Sequence, residues 1–116
     1  MLYIVNHAGD RAMCLDLTFV PLVEKLRDQF PPGMIFVIMT DRDHMPETTL
    51  PNALCYEDLI AAEDDGGTWV EVDETAACGI CYTSGTTGDP KGVVYSHRSN
   101  VLHAMVFCQR DISSTM

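Results

Sequence analysis

The sequence predicts an α/β fold, a partial, open and mostly parallel sheet with flanking helices, on three observations. Short apolar runs bounded by turn residues recur along the chain, a segment with helical apolar spacing lies between the first two, and a hydroxyl- and glycine-rich loop follows the third. Strands that alternate with helices in this way pair in parallel through right-handed crossovers. Such sheets hold ligands beyond the carboxyl ends of their strands, and the loop falls at such an end.

Arg11 to Asp16 is a short apolar run ending in an acid and reads as the first strand. Asp16 or Thr18 caps a following helix in which Phe19, Leu22, Val23, Leu26 and Phe30 recur at helical spacing. Pro21 is tolerated in its first turn, and Pro31 to Gly33 end it. Ile35 to Met39 is a continuous apolar run, the pattern of a strand buried on both faces. Asp41 to Asn52, with Pro46 and Pro51, reads as a loop, and Tyr56 to Ala62 as a short helix closed by Asp64 to Gly67. Trp69, Val70 and Val72 make a brief extended segment. Ala76 to Thr83 is the third strand, Ser84 to Gly92 the loop, and Val93 to Ser96 is short and extended. Ser96 or Ser99 starts a last helix with Val101, Leu102, Met105 and Cys108 on one side.

With 116 residues and 47% hydrophobic content the chain has the composition of an ordinary globular domain. Its net charge of −10, with Lys25 and Lys91 the only lysines, disfavours a nucleic-acid partner, because phosphate contacts there need clustered basic residues. Eight carboxylates between Glu57 and Glu74 occur with no basic residue among them and read as a solvated outer face. No apolar run approaches the roughly 20 residues that span a bilayer, and residues 1–20 lack a signal-peptide pattern. The expected compartment is cytoplasmic.

Cys14, Cys55, Cys78, Cys81 and Cys108 are odd in number and sit in apolar segments, so they read as buried small hydrophobes. Cys78 and Cys81 form a CxxC, yet they lie in a strand, where residues three apart point to opposite faces. No second cysteine or histidine pair completes a zinc site. The seven methionines read as core filler.

The chemistry concentrates between Thr83 and Gly92. Thr83, Ser84, Thr86 and Thr87 supply hydroxyls, Gly85, Gly88 and Gly92 supply close backbone approach, and Lys91 supplies a point charge on a flexible stem. Asp89 and Pro90 set a turn before the lysine. This is a phosphate cradle. Proline rather than glycine precedes Lys91 and no hydroxyl follows it, so the loop is not a Walker A loop of a kinase or ATPase. The GxGxxG of a dinucleotide-binding turn is absent too.

The stretch YTSGTTGDPKG, residues 82–92, resembles the phosphate-loop signature of the adenylate-forming, AMP-binding superfamily, which includes acyl-CoA synthetases, peptide-synthetase adenylation domains and luciferases. The continuation VVYSHRSNVLHAM, and DLTFVPLVEKL and LPNALCYEDLI upstream, resemble the medium- and long-chain fatty-acyl-CoA synthetase branch with its methylmercaptopropionate-CoA ligases. The resemblance implies an acid–thiol ligase. A carboxylic acid attacks the α-phosphate of ATP with Mg2+, giving an acyl-adenylate and pyrophosphate, and CoA then takes the acyl group. By motif position, Thr83, Ser84, Gly85, Thr86, Thr87 and Gly88 would contact the β- and γ-phosphates. Lys91 would neutralise their charge as the catalytic residue, and the Thr83 hydroxyl would ligate magnesium.

On this reading residues 1–116 are a fragment of the large N-terminal domain, with its phosphate loop at 82–92 and without the C-terminal domain. The expected partners are ATP, a carboxylic acid and CoA, and a homodimer stays open because a partial sheet leaves edges and apolar faces uncovered. The alternative is a non-catalytic remnant that binds nucleotide weakly. Other candidates have plainer roles. Ser84 is not set in the GxSxG elbow of a hydrolase. His97 and His103, six residues apart, lie on different helix faces and share no metal, although His97 near the helix start is placed to order the loop end. Asp16 and Asp41 read as capping and turn residues.

Overall fold

The computed structural model describes residues 1–84 and 88–113, which fall into two units, Met1–Gly67 and Thr68–Met116. The first opens with a helix, α1 (Leu2–Ala8), that the apolar spacing does not announce. Its stop signal is nonetheless written in the chain. Gly9 takes the left-handed conformation at φ 70° and donates its N–H to the Val5 carbonyl, the way helices commonly end.

Strand β1 (Ala12–Leu15) follows, and Asp16 then caps a 3-10 turn over Leu17–Phe19 by accepting the Thr18 N–H at 2.8 Å. The single helix expected from Phe19 to Phe30 is split into α2 (Val20–Glu24) and a second 3-10 turn at Arg27–Gln29. Proline explains the late start, since Pro21 has no N–H and fits only in a first turn. Beyond α2 the bonds tighten to three-residue spacing, with Leu26 N–H on Val23 O and Gln29 N–H on Leu26 O, both at 2.9 Å. The inward residues are therefore Val20, Val23 and Phe30, with Leu26 packed at their edge, whereas Phe19 and Leu22 are more than half exposed.

Strands β2 (Ile35–Ile38) and β3 (Ala53–Cys55) complete a parallel sheet in the order β1-β2-β3. The sequence reading passed over β3, whose entry is set by Asn52 in the left-handed region at φ 54°. The register aligns Met13, Phe36 and Ala53 in one row and Leu15, Ile38 and Cys55 in the next. Both rows share the face on which Val5, Val20, Val23, Phe30, Met34 and Leu50 form the core, and the Phe30 ring meets Phe36 edge-on at 5.3 Å. β2 is not buried on both faces as its apolar run predicts. Phe36 and Ile38 are 1% and 0% exposed but Ile35 is 39% exposed, because within this unit the helices cover one side only.

The expected loop over residues 41–52 has no regular structure and is stapled to α2 by Glu24. That carboxylate accepts the Thr49 N–H at 2.6 Å, the Thr48 hydroxyl at 2.8 Å and the Thr49 hydroxyl at 3.1 Å. Helix α3 (Tyr56–Ala61) ends the unit, with the Arg42 guanidinium gripping Asp58 through two bonds of 3.1 and 2.8 Å.

In the second unit no strand forms around Trp69, Val70 and Val72, whose side chains are exposed, so the extended segment expected there joins no sheet. Strand β4 (Ala77–Thr83) pairs antiparallel with β5 (Lys91–Ser96), and α4 (His97–Ser113) follows. This corrects the expectation that the third strand belongs to the parallel sheet. A run of seven residues, a Gly/Pro turn and six more residues ending in a valine–valine–tyrosine segment form a hairpin, because a short connection joins antiparallel strands more readily than parallel ones.

Four of the five cysteines, Cys14, Cys78, Cys81 and Cys108, are exposed, and only Cys55 is buried, against the expectation of buried thiols. The physical reason is the same one-sided cover: Cys14 shares the uncovered row with Val37 and Leu54. The methionines are mixed, with Met34 in the core and Met39 and Met105 largely exposed. Of the carboxylates from Glu57 to Glu74, Asp58 is half-buried in its Arg42 pair and the others are exposed, as a solvated face requires.

Candidate functional site

The hydroxyl-rich loop is the connection of the β4–β5 hairpin. Thr83 is the last residue of β4, Lys91 is the first of β5, and the two are register partners. Directly opposed residues share a face, so Thr83 and Lys91 flank the mouth of the loop on the same side, both exposed. Ser84 and Gly88 lie in the connection, and Gly88 adopts φ 107°, a conformation that side-chain-bearing residues rarely reach. Gly85, Thr86 and Thr87 lie outside the described residues.

Alternation sorts the rest of the hairpin. Cys81 and Val93 share the face of Thr83 and Lys91, whereas Tyr82 with Gly92 and Ile80 with Val94 occupy the opposite face. A register shift between Ala77 and Gly79 makes Cys78 the extra residue of a bulge, where the Asn100 amide donates to its Sγ at 2.7 Å. The CxxC pair thus straddles an irregular strand. Among the described residues no group of three or more His, Cys, Asp or Glu side chains is arranged to hold a metal ion.

Behind the hairpin, α4 is held at its start by three contacts. Ser96 accepts the Ser99 N–H at 3.2 Å in N-cap fashion, and the His97 and Arg98 N–H groups donate to the carbonyls of Ala76 and Glu74 at 3.1 and 2.8 Å. The Arg98 guanidinium also binds the Glu74 carboxylate, which holds that carboxyl below its ordinary range. Asp73, one residue earlier, accepts both the hydroxyl and the N–H of Thr75, which lowers its carboxyl in the same direction. These bonds fix the entry to β4 and the exit from β5 together. A cavity of about 390 Å3 lies between the hairpin and the helix, lined by Cys81, Tyr95, Ser99, Asn100 and His103.

The structure therefore places Thr83, Ser84, Gly88 and Lys91 at one hairpin connection, and places His97, His103, Asp41 and Asp16 outside it. His97 is the first residue of α4 and contributes its backbone, while His103 sits in the cavity and stacks on Phe107 at 6.3 Å. Asp41 is a turn residue. Its carboxylate accepts the His44 N–H at 2.9 Å and contacts the ring Nδ1 at 2.7 Å, and these bonds depress its pKa. Asp16 keeps the capping role read from the sequence, and its Thr18 bonds depress its carboxyl likewise. Within the first unit an open crevice of about 560 Å3 lies at the carboxyl ends of β2 and β3, lined by Met39, Thr40, Asp41, Tyr56 and Glu57. What sequence reasoning missed is the hairpin pairing, whose signal lay in Val93, Val94 and Tyr95 following the lysine at strand spacing.

Comparison with known proteins bears on the chain as a whole. The family model described as AMP-binding enzyme matches residues 1–115. The medium-chain-fatty-acid–CoA ligase of Ectopseudomonas oleovorans is 45% identical over 109 residues, covering 94% of this chain and 20% of the relative. The 3-methylmercaptopropionyl-CoA ligase of Ruegeria lacuscaerulensis is 46% identical over 112 residues, covering 97% and 21%. Among solved structures, the anthranilate CoA ligase AuaEII in complex with anthranoyl-AMP superposes with a TM-score of 0.71 at 26% identity, covering 84% of this chain and 18% of that one. The chain spans about a fifth of the length of the curated relatives it matches.

Proposed function

Because the chain belongs to the family of AMP-binding enzymes, we propose that it is the triphosphate-holding part of an ATP-dependent acid–thiol ligase, from the large N-terminal domain of that enzyme. The relatives matched along most of this chain are named as CoA ligases, which supports carboxylate activation followed by thioester formation with CoA. In the first step a carboxylate oxygen attacks the α-phosphorus of ATP, the bond to the bridging oxygen breaks, and pyrophosphate departs. In the second, the CoA thiol sulfur attacks the acyl carbon and AMP leaves with its carboxyl-derived oxygen.

The observation behind this reading is the Thr83–Lys91 pair at the neck of a hydroxyl- and glycine-rich hairpin loop. Lys91 places one positive charge at the loop mouth, where pyrophosphate accumulates charge as the α-phosphorus bond breaks. Thr83 and Ser84 offer hydroxyl donors, and the loop glycines offer backbone N–H groups. Holding with many weak donors suits a product that must also be released.

The donor set also fits magnesium in one particular way. The Thr83 hydroxyl would be one protein ligand, beside phosphate oxygens and water. The ion, when bound, neutralises phosphate charge. The acyl substrate is open between the medium-chain and sulfur-containing acids named for the matched relatives. Carboxylate-dependent exchange of labelled pyrophosphate into ATP by the complete protein, followed by CoA-dependent release of AMP, tests the proposal. Exchange that no fatty or short-chain carboxylate stimulates would refute it.

A further inference from the structure

Gly92 is the register partner of Tyr82, one step along β5 from the Lys91–Thr83 pair and on the opposite face. A Cβ built on it would lie 3.0 Å from the Ile80 Cγ2, and 3.2 and 3.4 Å from the Cζ and Cε1 of the Tyr82 ring. The two nearest of these are tighter than ordinary side-chain packing, which begins near 3.5 Å. Ring and branched chain thus lie across the bare backbone of Gly92. By contrast, a Cβ on Gly79 of the same hairpin would meet nothing within 4 Å. Among the described glycines of the hairpin, only the residue that follows the lysine shows the close approach.

We propose that Gly92 is a positioning residue for triphosphate binding, whose missing side chain lets Tyr82 and Ile80 press on β5 and so fix the register in which Lys91 faces Thr83. The inference deepens the reading of the loop given above and rests on it. A side chain at this position has two ways to be accommodated. Either Ile80 and Tyr82 turn away, or the start of β5 lifts from β4. Lys91 begins β5, with only the turn residues Asp89 and Pro90 on its other side, so this end yields before the α4-anchored end does. Lifting moves the ammonium relative to the Thr83 hydroxyl, and a shift near 1 Å at a charge-stabilising group is felt in the rate.

In the complete ligase, Gly92→Ala should lower kcat/KM for ATP in pyrophosphate exchange on the order of tenfold or more. The CoA step started from added acyl-adenylate, which needs no triphosphate, should keep its rate. Adding Ile80→Ala to Gly92→Ala removes the nearest obstruction and should recover at least about threefold of the loss, as expected for contacting residues. Unchanged ATP kinetics in Gly92→Ala, or an equal loss in both half-reactions, would overturn the proposal. Should Gly92→Ala fail to fold, Tyr82→Leu decides. It removes the ring and leaves Gly92 bare, so an ATP-selective loss supports the device and normal kinetics in both steps overturn it. Lys91→Ala separates the two levels: if it is silent the triphosphate reading fails, and if it is damaging while Gly92→Ala is silent only the positioning role fails.

Discussion

Thr83 and Lys91 face each other as the last pair of the β4–β5 ladder, so the chain from Ser84 to Pro90 begins and ends at one point. A hydroxyl and an ammonium at that point do not depend on the loop's own conformation. Two strands hold them. On the proposed function, a lysine held in this way would be in place before any ligand arrives, the preorganisation that makes charge stabilisation effective.

From this placement, Lys91→Ala in the complete ligase should slow carboxylate-dependent pyrophosphate exchange on the order of a hundredfold. Lys91 is exposed, so the unfolding midpoint should stay nearly where it was, within the small range of surface substitutions. Lys91→Arg should recover only part of the rate, since a planar fork replaces a compact charge. An exchange rate in Lys91→Ala equal to that of the parent would remove the lysine from the mechanism.

The Thr83 hydroxyl is separable from its strand role. Thr83→Val keeps the branched shape that suits a strand and deletes the oxygen. The expected result is a weaker KM for ATP together with a higher magnesium concentration at half-maximal rate, and Thr83→Ser should restore both. If only the KM moves, the hydroxyl touches phosphate and not the ion.

Much of this arrangement is legible in the residues, and what is not has identifiable physical causes. That Thr83 and Lys91 bracket one loop is plain from the residues, and the reading of that loop as a phosphate cradle rests on side-chain chemistry alone, because hydroxyls, glycines and one lysine at short spacing have few other uses. The strands at 12–15 and 35–38 and the Asp16 cap follow from apolar runs and local hydrogen bonding. The partner of β4 does not. Strand pairing is settled by non-local contacts, and a run such as Ala77–Thr83 has the same composition in a parallel sheet or a hairpin. The predicted 19–30 helix is split because its hydrogen bonds tighten to three-residue spacing beyond α2, which a good apolar period does not announce. Cysteine burial failed for another reason: apolar neighbours in sequence ensure a strand but not a cover over both its faces.

Ser96 ends β5 through its backbone pairing with Ala77 and opens α4 with its side chain. Its hydroxyl takes the Ser99 N–H, and Ser96→Ala should cost about 1 kcal/mol, the usual value of an N-cap. Amide hydrogen exchange at the start of α4 should accelerate roughly fivefold, which local opening at that energy requires. Glu74→Gln should accelerate it less, since its partner Arg98 is an exposed ion-pair donor. Exchange unchanged in Ser96→Ala would mean that the bonds from His97 and Arg98 to Ala76 and Glu74 hold the helix start without the cap.

The Glu24 staple makes the first unit sensitive to acid in a definite direction. The carboxylate takes the Thr49 N–H and the hydroxyls of Thr48 and Thr49, and it stands near the Arg27 guanidinium. The backbone bond from Thr49 is the largest influence on its titration, and its pKa is lowered relative to an ordinary glutamate. A carboxyl whose folded pKa lies below its unfolded one binds fewer protons when folded. Its contribution is thus fully present above the unfolded value and is lost as pH falls through the folded one. At neutral pH the loop over residues 41–52 should be held against α2, and below the ordinary glutamate range the amides of Thr49 and Leu50 should lose protection from hydrogen exchange. Glu24→Gln keeps an oxygen acceptor but has no carboxylate to titrate, so protection there should be weaker at pH 7 and flat on acidification. Acid-dependent exchange at Thr49 that persists in Glu24→Gln would assign the sensitivity to another carboxylate, such as Asp41 in the same loop, whose own pKa is lowered by His44.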